Sequence, residues 1–129
     1  MRSLVLITTI GCVLAFCHGC GTAVRGPDGD LEARIKYGTL TAMMDRGIER
    51  VYQAVQDSVA KLGLTTVMAE QDGVAAEVLA RDAQGQNISI RLEAVSTDKT
   101  ELTMRVGMLG DKNKSRVIFR EIQESLRAG

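Results

Sequence analysis

The stretch DRGIERVYQAVQDSVAKLG, residues 45–63, decides the fold. Ile48, Val51, Tyr52, Val55, Val59 and Leu62 recur at steps of three and four, which places them on one stripe of an α-helix. Asp45 is expected to cap its start, and Glu49 falls in the first turn, where the helix dipole favours negative charge. Lys61 falls in the last turn, and Asp57 precedes it by four residues, the spacing of a helical ion pair. Gly63 suits the left-handed residue that closes a helix, with Leu64 folding back onto Val59. A helix with one apolar stripe needs an apolar surface to lie on.

That surface is written downstream with a period of two. Val74, Ala76, Val78 and Ala80 point one way. Ile88, Ile90, Leu92 and Ala94 repeat the scheme between Asn87, Ser89, Arg91 and Glu93. Leu102, Met104, Val106 and Met108 repeat it again between Glu101, Thr103 and Arg105. Half-buried antiparallel strands have this pattern. All three apolar sets occupy even positions, so facing residues have even sums and the connecting loops have odd lengths. Ala83-Gln84-Gly85 meets that condition as a three-residue hairpin loop with Gly85 in the left-handed position, and it sets Glu77 opposite Arg91. Leu64–Glu70 reads as a short strand of mixed pattern, followed by a turn at Gln71-Asp72-Gly73.

Upstream, Leu31, Ala33, Ile35 and Tyr37 alternate, then Leu40, Ala42 and Met44 alternate in the opposite phase. The shift at Gly38-Thr39 means a bulge or a break. A strand is expected at about Gly38–Met44, with Leu31–Tyr37 left open. At the other end Gly107 and Gly110 interrupt the chain. Asp111 caps a second helix at about Lys112–Arg127, whose stripe is Ile118, Phe119, Ile122 and Leu126. The expected fold is α+β: a mostly antiparallel sheet of about five strands with two helices packed on one face. The order is β-α-β-β-β-β-α, a helix-grip-like two-layer sandwich.

The first twenty residues read differently. Met1-Arg2 is a short positive start, and Leu4–Phe16 is almost free of polar groups. That run is short for a membrane span and suits the h-region of an export signal. Cys12, Cys17, Cys20 and His18 all fall in or just after it, so these cysteines read as part of a leader. Cys20, preceded by the small Gly19, is the expected lipidation site of a bacterial lipoprotein. Cys17 follows the bulky Phe16, and Cys12 leaves the apolar run too short. An ordinary cleaved signal ending near Ala23 and an uncleaved anchor remain as alternatives. Cys17-His18-Gly19-Cys20 has the spacing of a redox pair, but such a pair normally opens a helix, and here it ends an apolar leader. Residues 1–19 are therefore assigned to a signal peptide, 20–30 to the lipidated cysteine and a tether, and 31–129 to the α+β domain. Asp28, Asp30 and Glu32 resemble calcium-loop acids, yet the full spacing is missing and a turn explains them.

Chemistry is sparse. Sixteen basic and sixteen acidic residues give zero net charge, and aromatic residues are 3% of the chain with no tryptophan. Neither a polyanion-binding surface nor a base-stacking platform is indicated, so no nucleic-acid partner is expected. With the leader removed no histidine remains, and no thiol except the anchor. Ser-His-Asp and Cys-His catalysis and the usual zinc sites are excluded by that inventory. No phosphate-binding or nucleophile-elbow motif occurs. No enzyme activity, cofactor or metal is expected. Lys112, Lys114, Arg116 and Arg120 crowd the first half of the second helix, against its dipole. They are either a solvated face or a patch for anionic lipid or cell-wall polymer.

Tyr37-Gly38-Thr39-Leu40, Asp45, Arg50-Val51-Tyr52, Lys61-Leu62-Gly63-Leu64 and Arg105-Val106-Gly107-Met108-Leu109-Gly110-Asp111 carry a resemblance. Across about Tyr37–Ile122 the chain resembles a family of small bacterial lipoproteins known as a domain of unknown function, DUF3568. It departs from that family at Gly47, where a proline near the start of the first helix is usual, and in a less regular lipobox. The resemblance implies an exported, lipid-anchored α+β domain, and it implies no activity and no catalytic site. The expected setting is the bacterial cell envelope, facing the periplasm, with the membrane as partner through the anchor. Gly21 lacks the acidic side chain that favours inner-membrane retention in enterobacterial lipoproteins, which favours the outer membrane. Envelope proteins and cell-wall polymer are the further partners in view. The leading role is a structural or binding module. The alternatives are a carrier holding an apolar ligand under Tyr52, and a carboxylate hydrolase of cell-wall polymer.

Overall fold

A computed structural model describes residues 22–25 and 32–128. Among them seven strands precede and separate two helices: β1 Thr22–Arg25, β2 Glu32–Lys36, β3 Thr39–Met44, α1 Ile48–Lys61, β4 Thr65–Gln71, β5 Ala75–Arg81, β6 Asn87–Ser96, β7 Lys99–Val106 and α2 Lys112–Ala128. The strands form one antiparallel sheet in the order β1-β2-β3-β7-β6-β5-β4. Both helices lie on one face. α1 covers β5 and β6, α2 covers β7 and β3, and the helices pack against each other. The two-layer α+β architecture is the expected one. The sheet is wider than expected by β1 and β2, and Thr22–Arg25 lies within the stretch assigned to a tether. The leader, its three cysteines, and the acids Asp28 and Asp30 lie outside the described residues.

Parity explains the sheet. The buried apolar residues of β5, β6 and β7 are even-numbered, and their pairs Val78↔Ile90 and Ile90↔Met104 have even sums. The loop between β5 and β6 is the three-residue turn 83–85, closed by the Asp82 amide donating to the Gln86 carbonyl at 3.1 Å, with Gly85 at φ 81°. Glu77 faces Arg91 as the sequence requires, and their side chains pair at 3.3 Å. Between β2 and β3 the rule inverts. The loop is Tyr37-Gly38, two residues long, so Ala33↔Ala42 and Ile35↔Leu40 have odd sums and odd residues join the same buried face. The phase shift in the sequence is thus a tight hairpin. Both loop residues have positive φ (51° and 79°), the signature of a type I′ turn.

The ends of the elements show where side chains in three dimensions overrode the local reading. The C-terminus of α1 is as expected: the Leu64 amide donates to the Val59 carbonyl at 2.9 Å and that of Gly63 to Ala60 at 3.1 Å. The N-terminus is not. Gly47 holds the N-cap position, no side chain caps it, and Asp45 is exposed. Gly47 has φ −64°, the angle a proline ring imposes. A Cβ at Gly47 would, however, lie 2.8 Å from the Thr97 carbonyl oxygen. Asp57 accepts from Gln53 rather than pairing with Lys61, whose ammonium reaches Glu121 on α2 at 2.9 Å. Val74 and Met108 were expected to face the core and do not. Val74 sits in the turn that Asp72 organises by accepting from the Val74 and Ala75 amides, both at 2.8 Å. Met108 lies beyond the end of β7 and is exposed.

The core lies between the layers. Val51, Val55 and Val59 of α1 and Ile118, Phe119 and Ile122 of α2 are buried against Leu40, Ile90, Leu102 and Met104 of the sheet. Buried hydroxyls have partners. Ser58 Oγ donates to the Ala54 carbonyl (2.7 Å), Ser115 Oγ to that of Asp111 (2.9 Å), and Thr100 Oγ1 to that of Arg46 (2.8 Å). Arg50 ties the helices at the far end, donating to the Ser125 carbonyl at 2.8 Å. Orphan carbonyls at a helix C-terminus favour such a cation.

Candidate functional site: a clasp between two glycine turns

Several turns meet at one end of the sheet: Tyr37-Gly38 before β3, Ala83-Gln84-Gly85 between β5 and β6, and Gly107–Asp111 between β7 and α2. Two of them touch backbone to backbone. A Cβ added to Gly110 would fall 2.4 Å from Gly38 Cα, and one added to Gly38 would fall 2.7 Å from the Leu109 carbonyl oxygen. Only glycine permits that approach. Arg105 locks the pair. Its Nη1 donates to the Tyr37 carbonyl (2.8 Å) and Thr39 Oγ1 (3.1 Å), and its Nη2 donates to the Met108 carbonyl. The two motifs that carry the family resemblance at either end of the chain, Tyr37–Leu40 and Arg105–Asp111, are thus one tertiary unit. The fixed fork of a guanidinium suits the task of holding carbonyls from two loops.

The third turn is fastened by Lys114. Its ammonium donates to Asp82 Oδ2 at 2.7 Å, Gln86 Oε1 at 2.8 Å and Gln84 Oε1 at 2.9 Å. The Asp82 carboxylate also accepts from the Gln84 and Gln86 amides at 2.9 Å each. The Lys114 contact, followed by the backbone donors, holds Asp82 below the ordinary carboxylate value of 3.8. Gln86 in turn covers Gly107, where a Cβ would meet its amide nitrogen at 2.4 Å. Asp111 caps α2 as expected, accepting from the Asn113 and Lys114 amides at 3.1 and 3.0 Å.

A pH dependence follows. A carboxyl whose folded pKa is depressed contributes stability that is complete above its unfolded pKa and lost as pH falls through the folded one. Asp82, and Asp72 with its two amide donors, both contribute in that acid window. Asp82→Asn should therefore narrow the drop in urea midpoint that the native chain shows between pH ~7 and pH ~2.5. An equal drop in both proteins would show that the Asp82 carboxylate gains nothing from Lys114.

The basic residues of α2 do not form one patch. Lys112, Arg116 and Arg120 recur at steps of four along one flank. Lys114 lies elsewhere on the helix with its ammonium committed to the hairpin, and the same flank carries Glu121, paired to Lys61. Lys112 and Arg120 are exposed and Arg116 is half-buried. Sequence reasoning gave no hint of the Lys114 cluster, because Asp82, Gln84 and Gln86 are far from it in the chain. A bound, partnered lysine and a solvated one look alike in a sequence.

Among the described residues three open surface clefts stand out. One borders the clasp, along Gln86, Asn87, Ser89, Arg105 and Met108. A second, at the opposite end, is lined by Gly47, Glu49, Gln53, Val74 and Val95. The third lies over the outer side of β4, β5 and β6 among Glu70, Asp72, Glu77, Arg91 and Glu93. None of the three reaches under Tyr52, where Val51, Val55 and their neighbours fill the interior. The acid-lined cleft is poorly suited to glycoside cleavage. A general acid needs a raised pKa, while the Val74 and Ala75 amides hold Asp72 low and Glu77 is paired with Arg91.

The architecture, then, is a two-layer α+β sandwich with a glycine-braced group of loops at one end. The chain belongs to the family of proteins of unknown function DUF3568, whose model matches residues 3–125. That match spans most of the N-terminal stretch before β1, the clasp and most of α2. No curated protein matches the chain.

Proposed function

We propose that the chain is a lipid-anchored protein of the bacterial cell envelope, acylated on Cys20 and acting as a structural or binding module rather than as an enzyme. The observation that carries this reading is the leader: Arg2, the apolar run Leu4–Phe16, then Gly19-Cys20. The body supports it in kind. Among the described residues no helix is long and apolar enough to cross a membrane. On this reading the body is retained at a bilayer by its modified N-terminal segment. Each acyl methylene buried in a bilayer is worth about 0.8 kcal/mol, so the several chains of an acylated N-terminal cysteine hold the body firmly.

The test is the intact mass of protein extracted from membranes, beside a Cys20→Ala variant. The native chain should lack residues 1–19 and carry lipid mass, and the variant should carry none. Lipid mass retained in Cys20→Ala would reject this cysteine as the attachment point. A native chain with its leader and no acyl mass would reject the anchor altogether.

A further inference from the structure

Three large apolar side chains stand in water at one end of the molecule. Tyr37, Met108 and Leu109 are 86%, 93% and 94% exposed, whereas the other exposed large apolar residues, such as Met43, Val67 and Val95, lie between 37% and 67%. Their backbones are neighbours, because Arg105 holds the carbonyls of Tyr37 and Met108 and Gly38 lies against the Leu109 backbone. Contiguous exposed apolar groups mark contact surfaces, while scattered ones need no explanation. Tyr37 is misplaced as a turn residue as well. It holds φ 51° in a type I′ turn, a position that asparagine, aspartate or glycine fills more readily. An exposed aromatic kept in a disfavoured backbone conformation points to a use outside the fold. Cations flank the group. The Lys36 ammonium lies 5.4 Å from the centre of the Tyr37 ring, and Lys112 is exposed just beyond the Gly110 turn.

The direction of β1 supplies the occupant. Thr22 pairs with Ile35 and Arg25 with Glu32, so β1 runs away from the Tyr37-Gly38 turn. The chain before Thr22 therefore joins the sheet from the side of that turn. Cys20 is two residues before Thr22, a span of about 7 Å at most. An acyl group on that sulfur would bring a bilayer to this end of the sheet and not to the other.

We infer that the Tyr37–Met108–Leu109 group is a membrane-contact surface that sets the orientation of the anchored body. The three side chains enter the boundary between headgroups and acyl chains, where tyrosine, apolar on its ring and polar at its tip, is at home. Lys36 and Lys112 meet anionic headgroups around them. Three side chains would bind weakly alone. With the anchor close by, the contact becomes intramolecular and forms at high effective concentration. The body then rests with its β2–β3 and β7–α2 turns on the bilayer and its opposite end facing away. This rests on the acylation of Cys20 proposed above.

The chain has no tryptophan, so Leu109→Trp introduces a single reporter at a position the fold leaves exposed. Val95→Trp places one at the opposite end of β6, about 25 Å away at 3.3 Å per residue. The full chain of each variant would be extracted, checked for acyl mass, and reconstituted into phosphatidylglycerol–phosphatidylethanolamine vesicles with brominated acyl chains. Leu109→Trp should emit at shorter wavelength and lose much of its intensity to bromine, while Val95→Trp stays water-like and bright. Acylated protein in which Leu109→Trp is as water-like and unquenched as Val95→Trp overturns the contact and leaves the anchor standing. A blue-shifted but unquenched Leu109→Trp assigns the surface to a protein neighbour and overturns it too. Protein without acyl mass removes the anchor, and the orientation argument with it.

Discussion

Gly110→Ala is expected to destabilise the folded chain by about 4 kcal/mol, against about 1 kcal/mol for Gly63→Ala. The comparison isolates the clasp. Both glycines sit in the left-handed region, Gly110 at φ 74° and Gly63 at φ 69°. An alanine at either pays the same local penalty for that conformation. Their surroundings differ. Nothing lies within 4 Å of a Cβ on Gly63, whereas a Cβ on Gly110 would fall 2.4 Å from both the Cα and the carbonyl oxygen of Gly38. Those are backbone atoms in a two-residue hairpin, so no rotamer change can relieve the overlap and one of the turns has to move. Moving it pulls the Tyr37 and Met108 carbonyls away from Arg105, leaving guanidinium donors to water. Urea unfolding of both variants would measure the difference. Equal losses for Gly110→Ala and Gly63→Ala would mean that the two turns are not in contact.

That clasp shows what the amino-acid sequence discloses and what it withholds. Gly107 and Gly110 are legible as interruptions, because no apolar pattern runs through them. Tyr37-Gly38 is legible as a shift of phase. What brings the two together is the pairing of β3 with β7, Thr39↔Arg105 and Leu40↔Met104, between residues more than sixty apart in the chain. Periodicity carries no information about which strands become neighbours at that range. It does carry the local register. The even positions of β5, β6 and β7 forced an odd loop, placed Gly85, and paired Glu77 with Arg91, because one residue of slip would turn every apolar side chain to water.

Three of the misreadings share a cause. Asp45 was the best capping residue near the start of α1, but the Thr100 hydroxyl binds the Arg46 carbonyl and the Thr97 carbonyl crowds Gly47, so the entry of the helix is set by β7 and the turn before it. Lys61 had a partner four residues away in Asp57 and took Glu121 on α2 instead, whose hydrogen bond and charge raise its pKa. Lys114 read as one of four cations on a helix and serves as the pin of a distant hairpin. Val74 and Met108 continued an alternating pattern past the true ends of their strands. β4 gave a mixed pattern because it is an edge strand, nearly all of it exposed, with a register shift between Thr66 and Met68. For Asp45, Lys61 and Lys114 a contact between distant elements decided between local options of similar energy.

Phe119→Ala is the second large effect, expected to lose about 3–5 kcal/mol. Phe119 is the largest fully buried side chain, and no other aromatic residue is fully buried among the described ones. It lies on α2 between Ser115 and Ile122, on the face that covers β7 and β3. Beneath α2, β3 and β7 bury Leu40, Met44, Leu102 and Met104, and the flexible methionines can swing part-way into a cavity, so the loss should fall inside that range and not above it. Phe119→Leu keeps most of the volume and should cost under about 1.5 kcal/mol. A domain of this size has roughly 5–15 kcal/mol in hand, so the alanine variant should still fold, at a much lower urea midpoint with an unchanged slope. A loss below about 1 kcal/mol for Phe119→Ala would mean that α2 does not bury its stripe against the sheet. The orientation of its N-terminus, and with it the position of the Met108-Leu109 turn, would then have no rigid support.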